Sequence, residues 1–302
     1  MASIGDEIKR LWRTGGMTVR LIGVNLAVFV AFILIQIVGK FIVGAEFVGA
    51  EDSNYYYFTA TSADLGLLLK RPWTLITFMF AHAGFMHILF NMIMLWFIGR
   101  MFEGMFGARK MLATYFLGSF MGVFLLIILS NVSPLIQAGP PILGASAAVF
   151  AIIVGYATYF PDQEVRLLLF GTVKFKWIAT VLVVVQIFSL NGVSNIGGSI
   201  GHLGGALYGF LLITQMRKGR DIGMWFEKLL DRLVNLFRSG GGSRMKVVYN
   251  KQTQQKRHKT DEEYNAEKNA KAAKVDKILD KISKSGWDSL TKDEKDFLNA
   301  QK

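Results

Sequence analysis

The chain has 302 residues, of which 52% are apolar and none is cysteine. A mean hydropathy of +0.36 is too high for an ordinary soluble protein of this length, and several apolar runs are long enough to cross a bilayer. Disulfides, a thiolate nucleophile and a thiolate metal site are excluded. Most of the net charge of +12 lies after Arg217 without any nucleic-acid motif, so we expect anionic lipid headgroups, and no nucleic acid, as its partner.

Residues 1–16 are predicted to form a short cytosolic N-terminal segment. Acidic and basic residues alternate in it, and no small-residue cleavage site follows a short apolar core, which argues against a cleavable signal. Residues 17–217 are predicted to form the membrane domain, because all of the long apolar runs lie there.

Six membrane-spanning helices are predicted, and they are Leu21–Gly39, Gly84–Gly99, Met111–Leu129, Ile142–Phe160, Trp177–Val193 and Ile196–Met216. Pro72–Phe80 is apolar but too short to cross, so it is expected to lie in the interface or to re-enter the membrane. Lysine and arginine cluster in every second connection, starting with the N-terminal segment. The positive-inside rule then predicts an all-α polytopic membrane protein with both termini in the cytoplasm.

Residues 218–260 are predicted to be an interfacial helix and a basic linker, followed by a small helical cytosolic module at 261–302. Asp221–Arg238 alternates apolar and charged residues at helical spacing. A glycine linker at 239–243 and a basic, disordered stretch at 246–260 follow. In the module, Gly286 is expected to end a long helix, and Thr291 and Glu294 have capping-box spacing. The module is interpreted as a solvated appendage, with docking of a cytosolic partner as the alternative.

Four polar side chains are expected at a similar depth below the outer surface. His87 and Asn91 lie in the first turns of the second span, Ser146 in the fourth and His202 in the sixth, and all three spans start at the outer face. Such groups are costly in lipid unless they meet one another or water. On spacing alone, Ser146 in its small-residue run is also compatible with a role in helix packing.

Small residues in the fourth and sixth spans predict a close crossing of these two helices. They recur every four residues and are Gly201, Gly205 and Gly209 on one helix and Ala147, Ala151 and Gly155 on the other. Ser146 and His202 need such an approach to come within about 3 Å of each other. Packing and chemistry therefore require the same geometry at this crossing.

The chemistry predicted for these residues is nucleophilic catalysis by a dyad. His202 is the candidate base for the Ser146 hydroxyl, and the sequence places no membrane carboxylate at that depth to orient it. The Ser146 amide, His87 and Asn91 are candidate donors to the oxyanion of a tetrahedral intermediate. Phe150, one turn below Ser146, is expected to pack against the imidazole.

The motifs resemble those of the rhomboid intramembrane serine proteases in their bacterial, six-helix form. The segment from His82 to Asn91 resembles the second-helix motif, and Gly99-x-x-x-Glu103 with Gly107 resembles the end of that helix. Gly144-Ala-Ser146 is similar to the nucleophile motif, and the glycine-lined segment from His202 to Gly209 to the base helix. The likeness covers about residues 17 to 216.

This resemblance implies a six-helix bundle whose active site is a wet depression open to the outer side of the cell membrane. It implies Ser146 as nucleophile, His202 as base, and His87, Asn91 and the Ser146 amide as oxyanion donors, with no cofactor. It further implies that single-span membrane proteins enter sideways from lipid and are cleaved.

One residue departs from the family pattern, since Ala147 stands where glycine usually follows the serine. Its methyl group is expected either to crowd the oxyanion region or the helix crossing, or to be tolerated as a small side chain. A non-cleaving relative that binds membrane clients is therefore an alternative function. A transporter is a further alternative, but it requires polar groups near the bilayer midplane and usually internal repeats.

Two further polar residues are interpreted as structural. Glu103, near Arg109 at the inner end of the second span, is expected to form an ion pair or to cap a loop. His82 is expected to hydrogen-bond a backbone group in the outer loop. Its spacing to His87 does not put both rings on one helical face, and no acidic or sulfur ligand is near, so no metal site is predicted.

Overall fold

A computed structural model describes residues 3–43, 58–133, 136, 141–167, 171–191, 195–237 and 261–299 of the chain. The molecule divides into two compact units, Met1–Gly240 and Gly241–Lys302. The predicted linker segments at 239–243 and 246–260 lie outside the described residues.

The first unit is built almost entirely of helices. They are α1 (Ile4–Thr14), α2 (Gly16–Val43), α3 (Leu65–Lys70), α4 (Thr74–Thr77), α5 (Phe85–Met94), α6 (Arg100–Val132), α7 (Ser146–Tyr159), α8 (Phe175–Ser189), α9 (Ile196–Arg217) and α10 (Met224–Phe237). A 3₁₀ turn, Phe78–Phe80, follows α4, and a π-helical turn, Leu95–Gly99, joins α5 to α6.

Three helical stretches of the described residues are long and apolar enough to cross a membrane, Gly16–Ile42, Phe85–Val132 and Ile196–Arg217. The second of these has 48 residues and is broken at Gly107, whose backbone is non-helical with φ 82° and ψ 164°. The break separates the stretches in which the second and third spans were predicted. Helices α7 and α8 are apolar but shorter, and the count of six spans stays a prediction.

The fourth apolar helix, α7, begins later than the sequence predicts. Ile142 exchanges backbone hydrogen bonds with Thr61, and Gly144 has a φ of 123°, so the residues before Ser146 are not helical. At 1.5 Å per residue, 14 residues span about 21 Å, which is less than the hydrocarbon core. The helix alone is therefore too short for a full span, and Ser146 is its first residue.

A two-stranded antiparallel ribbon is present beside the helices of the predicted all-α fold. Strand β1 (Glu164–Leu167) pairs with β2 (Gly171–Lys174) in the connection between α7 and α8, with Glu164 opposite Lys174. Hydrogen bonds from Lys176 and Lys174 hold the pKa of the Asp162 carboxyl below its ordinary value. The protein is thus mainly helical, with one hairpin in the connection where positive charge was predicted.

Helices α6, α7 and α9 form the tightest part of the molecule. A Cβ on Gly205 would overlap the Ala147 carbonyl oxygen, and one on Gly209 would overlap that of Ala151, so α9 lies backbone to backbone on α7. Gly201 was predicted on the same face, but its carbonyl oxygen lies 2.7 Å from where a Cβ of Gly122 on α6 would stand. The glycines of α9 therefore serve two neighbouring helices.

The short apolar segment before α5 enters the core. Phe78 and Met79 are almost completely buried, and the carbonyl of Phe78 accepts a 2.8 Å hydrogen bond from the amide of Gly144. The segment predicted to lie in the interface or to re-enter the membrane is thus partly buried within the protein. The bond also attaches the segment to the chain leading into α7.

Helix α10 packs against the N-terminal half of α6. Phe226 is buried, and its ring centroid lies 5.9 Å from that of Phe116. Lys110 is also buried and forms ion pairs with Asp221 and Glu227. The helix predicted as interfacial is thus attached through aromatic packing around Phe226 and through ion pairs that include the buried Lys110.

The second unit is described over 261–299 as α11 (Asp261–Ser285), a 3₁₀ turn (Trp287–Ser289) and α12 (Lys292–Asn299). Gly286 ends α11 with a φ of 75°, as predicted. The Thr291 amide donates to Glu294 at 2.8 Å and the Glu294 amide to the Thr291 hydroxyl at 3.4 Å, which confirms the predicted capping box. Lys281 hydrogen-bonds Glu294 at 2.9 Å and, with the Thr291 amide, lowers the pKa of that carboxyl.

Candidate active site

The central contact of the candidate site joins the first residue of α7 to the second turn of α9. Ser146 Oγ lies 2.6 Å from His202 Nε2. The close crossing at Gly205 and Ala147 makes this distance possible, because it removes the space that a larger side chain would hold between the helices. The hydroxyl and the imidazole are thus within the reach that general-base activation of a serine requires.

Phe150 packs against the imidazole of His202, as the sequence predicts. Its ring is stacked on that of His202, with 4.7 Å between centroids and 3° between planes. Phe150 is one helical turn after Ser146, so one face of α7 carries both the hydroxyl and the apolar surface against which the imidazole rests.

Gln186 of α8 is a third member of this contact that was not predicted. Its Oε1 lies 2.8 Å from His202 Nδ1, on the side of the ring opposite Ser146. A signal was available in the sequence, because Gln186 is the only amide in an otherwise apolar run near the end of its helix. Hydropathy alone did not indicate that it faces α9.

His87 faces the entrance to α7. Its Nδ1 accepts a 3.4 Å hydrogen bond from the Ala83 amide, so Nε2 carries the ring proton. A Cβ on Gly144 would stand 2.7 Å from that Nε2 and 3.7 Å from Ser146 Oγ. The absence of a side chain at Gly144 therefore leaves open the space between a potential donor and the serine hydroxyl.

Asn91 is buried one turn below His87 on α5 and lines the same cavity. Its Nδ2 donates a 2.8 Å hydrogen bond to the His87 carbonyl oxygen. A primary amide has two N–H groups, so one remains for a second acceptor. The structure thus brings Asn91 to the cavity but gives one of its donors to the backbone.

The start of α7 adds backbone donors to this cavity. The first N–H groups of a helix have no intrahelical acceptor, and the helix dipole favours negative charge there. Ser146, His87, Asn91 and His202 line a cavity of about 570 Å³. An anionic oxygen bound next to Ser146 would therefore meet a helix N-terminus and the protonated nitrogen of His87.

The methyl group of Ala147 lies at the contact between α7 and α6. Its Cβ lies 3.0 Å from where a Cβ of Gly122 would stand, so the methyl group packs against the glycine of α6. A small residue on α6 accommodates the side chain that departs from the family pattern.

Glu103 and His82 both hydrogen-bond backbone groups. Glu103 accepts from the amides of Met17 and Thr18 at 2.6 and 2.8 Å, so it caps the start of α2, whereas Arg109 pairs with Asp231 at 3.1 Å.

His82 Nε2 accepts from the Ala145 amide at 3.4 Å, directly before α7. No group of three or more histidines and acids suited to a metal ion occurs within the described ranges.

Comparison with known proteins identifies the two units differently. Residues 69–218 match the Rhomboid domain family, and residues 249–301 match a family of unknown function, DUF6576. The first range contains every residue of the candidate site.

Several named relatives match about half of the chain. Rhomboid-like protease 3 of Toxoplasma gondii is 29% identical over 158 residues, 52% of this chain and 57% of that protein. RHOMBOID-like protein 12, mitochondrial, of Arabidopsis thaliana is 36% identical over 159 residues, 49% of this chain and 47% of that protein. Rhomboid protease GluP of Bacillus subtilis is 30% identical over 141 residues, 46% of this chain and 25% of that protein.

The matched part spans between a quarter and about three fifths of these relatives. The similarity to rhomboid proteins and the long apolar helices both indicate that this is a membrane protein. Through the domain at residues 69–218, the chain belongs to the rhomboid family.

Proposed function

We propose that the protein is an intramembrane serine endopeptidase in which Ser146 and His202 act as a catalytic dyad. The observation that carries the proposal is the 2.6 Å separation of Ser146 Oγ and His202 Nε2 at the wall of a cavity. Two of the relatives are named as proteases, which supports the same reaction class.

In the proposed reaction, His202 Nε2 takes the proton of the Ser146 hydroxyl while Oγ attacks the peptide carbonyl carbon. The oxyanion binds at the start of α7, with the Ser146 amide, His87 Nε2–H and Asn91 as donors. His202 then gives its proton to the leaving amine, and the C–N bond breaks. A water molecule, deprotonated by His202, hydrolyses the acyl-enzyme and restores Ser146.

The substrates proposed are single-span membrane proteins that reach the cavity sideways from lipid. A peptide bond within a regular helix has its backbone groups paired, so the substrate must unwind near Ser146 before attack. Cleavage is proposed near an end of the substrate helix, and the position of Ser146 at the first residue of the short helix α7 supports this. The cavity wall includes apolar side chains such as Met86, Phe90 and Leu143, which suit an unwound apolar segment.

The test is cleavage of a generic single-span protein by purified enzyme in liposomes. Wild type is expected to cut it, and Ser146→Ala and His202→Ala to lose cutting while remaining folded. Ser119→Ala is the matched control, because Ser119 is a buried serine that donates to the carbonyl of Tyr115 in its own helix. Tight retention of uncut substrate by wild type would instead favour the client-binding alternative.

The proposed topology has six spans, both termini in the cytoplasm and the cavity open outward in the cell membrane. Because the chain has no cysteine, single cysteines can be introduced and labelled without a background. Ser133→Cys is expected to react with an impermeant maleimide in intact cells, and Ala270→Cys only after permeabilisation. Labelling of Ala270→Cys in intact cells would reverse the orientation.

A further inference from the structure

We propose that Gln186 is a positioning residue that holds His202 in the tautomer required of a general base. This inference rests on the proposed peptidase function and adds a third side chain to it. The geometry is a continuous row, in which Gln186 Oε1 is 2.8 Å from His202 Nδ1 and His202 Nε2 is 2.6 Å from Ser146 Oγ.

The direction of the hydrogen bonds follows from the atoms. A carboxamide oxygen only accepts, so His202 Nδ1 carries the proton and donates it to Gln186. Nε2 is then unprotonated and accepts from the Ser146 hydroxyl. In the opposite tautomer Nε2–H would face the serine oxygen, and His202 could not take the serine proton.

Two neighbouring helices hold the imidazole from three directions. Gln186 on α8 holds the Nδ1 edge, Ser146 on α7 meets the Nε2 edge, and Phe150 covers one face. A neutral amide gives orientation without placing a second charge among apolar helices, where an unpaired carboxylate would be costly. Gln186 therefore does by hydrogen bonding what a buried carboxylate does in a charged triad.

The test compares Gln186→Met, which is close in length but offers only a weakly accepting thioether sulfur, with Gln186→Glu, which keeps an acceptor oxygen. Ser189→Ala on the same helix is the control, because its hydroxyl donates to the Val185 carbonyl of its own helix. The first readout is the ¹⁵N spectrum of the His202 ring, assigned by comparison with His202→Ala. The second is kcat and KM for cleavage of a single-span substrate.

We expect Nδ1–H in wild type, Gln186→Glu and Ser189→Ala, and a mixture of tautomers in Gln186→Met. Loss of the partner that orients the base is expected to lower kcat roughly 10- to 100-fold with KM unchanged. Gln186→Glu is expected to retain more activity than Gln186→Met. A rise in KM alone would indicate a structural role and overturn the proposal.

The spectrum separates this inference from the proposed function. Nε2–H in wild type, or an unchanged tautomer in Gln186→Met, would overturn the positioning role whether or not the protein cleaves. Control of the tautomer by Gln186 in a protein that neither cleaves substrate nor reacts with a fluorophosphonate at Ser146 would support positioning and contradict the peptidase.

Discussion

The rings of Phe150 and His202 are parallel, with 3° between their planes and 4.7 Å between their centroids. The imidazole therefore has one face on an apolar surface while both of its nitrogens are hydrogen-bonded at its edges. An offset-stacked aromatic contact is worth about 0.5–1.5 kcal/mol beyond the burial of its area. Stacking of this kind limits rotation of the ring out of the plane that contains Ser146 Oγ.

Replacing Phe150 by leucine is expected to lower kcat by roughly 2- to 10-fold, which corresponds to the loss of that stacking energy. The apolar volume is largely kept, so the protein should fold. Phe120→Leu serves as control, because Phe120 packs on Phe226 elsewhere in the core. Equal kcat in Phe150→Leu and wild type would show that the other contacts orient His202 sufficiently.

Replacing Gly144 by alanine is expected to reduce cleavage on the order of 100-fold, because displacement of catalytic groups by about 1 Å has effects of that size. The added Cβ would stand 2.7 Å from His87 Nε2, and the φ of 123° is unfavourable for a residue with a side chain. Gly104→Ala is the control, since a Cβ there meets no atom within 4 Å.

The assay for this pair is the initial rate of substrate cleavage together with thermal unfolding in detergent. Gly104→Ala is expected to keep the rate, with stability equal or up to about 1 kcal/mol higher. A Gly144→Ala enzyme that cuts at the wild-type rate would remove the space at Gly144 from the proposed oxyanion site.

Replacing Asn91 by alanine is expected to lower kcat by roughly one to three orders of magnitude, as loss of an oxyanion donor does. Asn131 provides a matched control, because its amide also donates to the carbonyl four residues earlier, at 2.7 Å, but it is exposed and lies outside the cavity. Asn131→Ala should leave kcat unchanged. Equal kcat in Asn91→Ala would assign Asn91 to the His87 carbonyl alone.

Replacing Ala147 by glycine is expected to leave kcat unchanged and to lower the free energy of unfolding by about 1–2 kcal/mol. A helical glycine costs about 0.5–1 kcal/mol relative to alanine, and removing a buried methyl costs about 0.8 kcal/mol more. The physical basis is that the methyl group packs toward Gly122. Thermal unfolding and initial rates measure the two effects separately, and a higher kcat in Ala147→Gly would show that the methyl hinders catalysis.

The elements of the site that could be predicted are those that depend on depth and local spacing. Hydropathy and charge indicate the level at which a residue lies, and so His87, Ser146 and His202 were predicted near one another. Repeated small residues indicate a close crossing, and a turn of α7 is enough to relate Phe150 to Ser146.

The elements that could not be predicted depend on rotation about a helix axis or on pairing between distant segments. Gln186 was missed because hydropathy does not indicate which face of α8 meets α9. The late start of α7 depends on the backbone pairing of Ile142 with Thr61, and Glu103 meets the amides of Met17 and Thr18 rather than Arg109. Contacts over such separations leave little trace in a local pattern.

Replacing Glu103 by alanine is expected to lower the free energy of unfolding by about 1–3 kcal/mol, because the partly buried amides of Met17 and Thr18 and the Thr18 hydroxyl lose their acceptor. The carboxylate also interacts favourably with the positive end of α2.

Glu164→Ala is the control, since Glu164 is exposed at the start of β1. Thermal unfolding in detergent should show the loss of stability in Glu103→Ala only. Cleavage well below the unfolding temperature should stay within about twofold of wild type, because Glu103 does not line the cavity. A large loss of cleavage in a fully folded Glu103→Ala protein would instead mean that anchoring of α2 contributes to the geometry of the site.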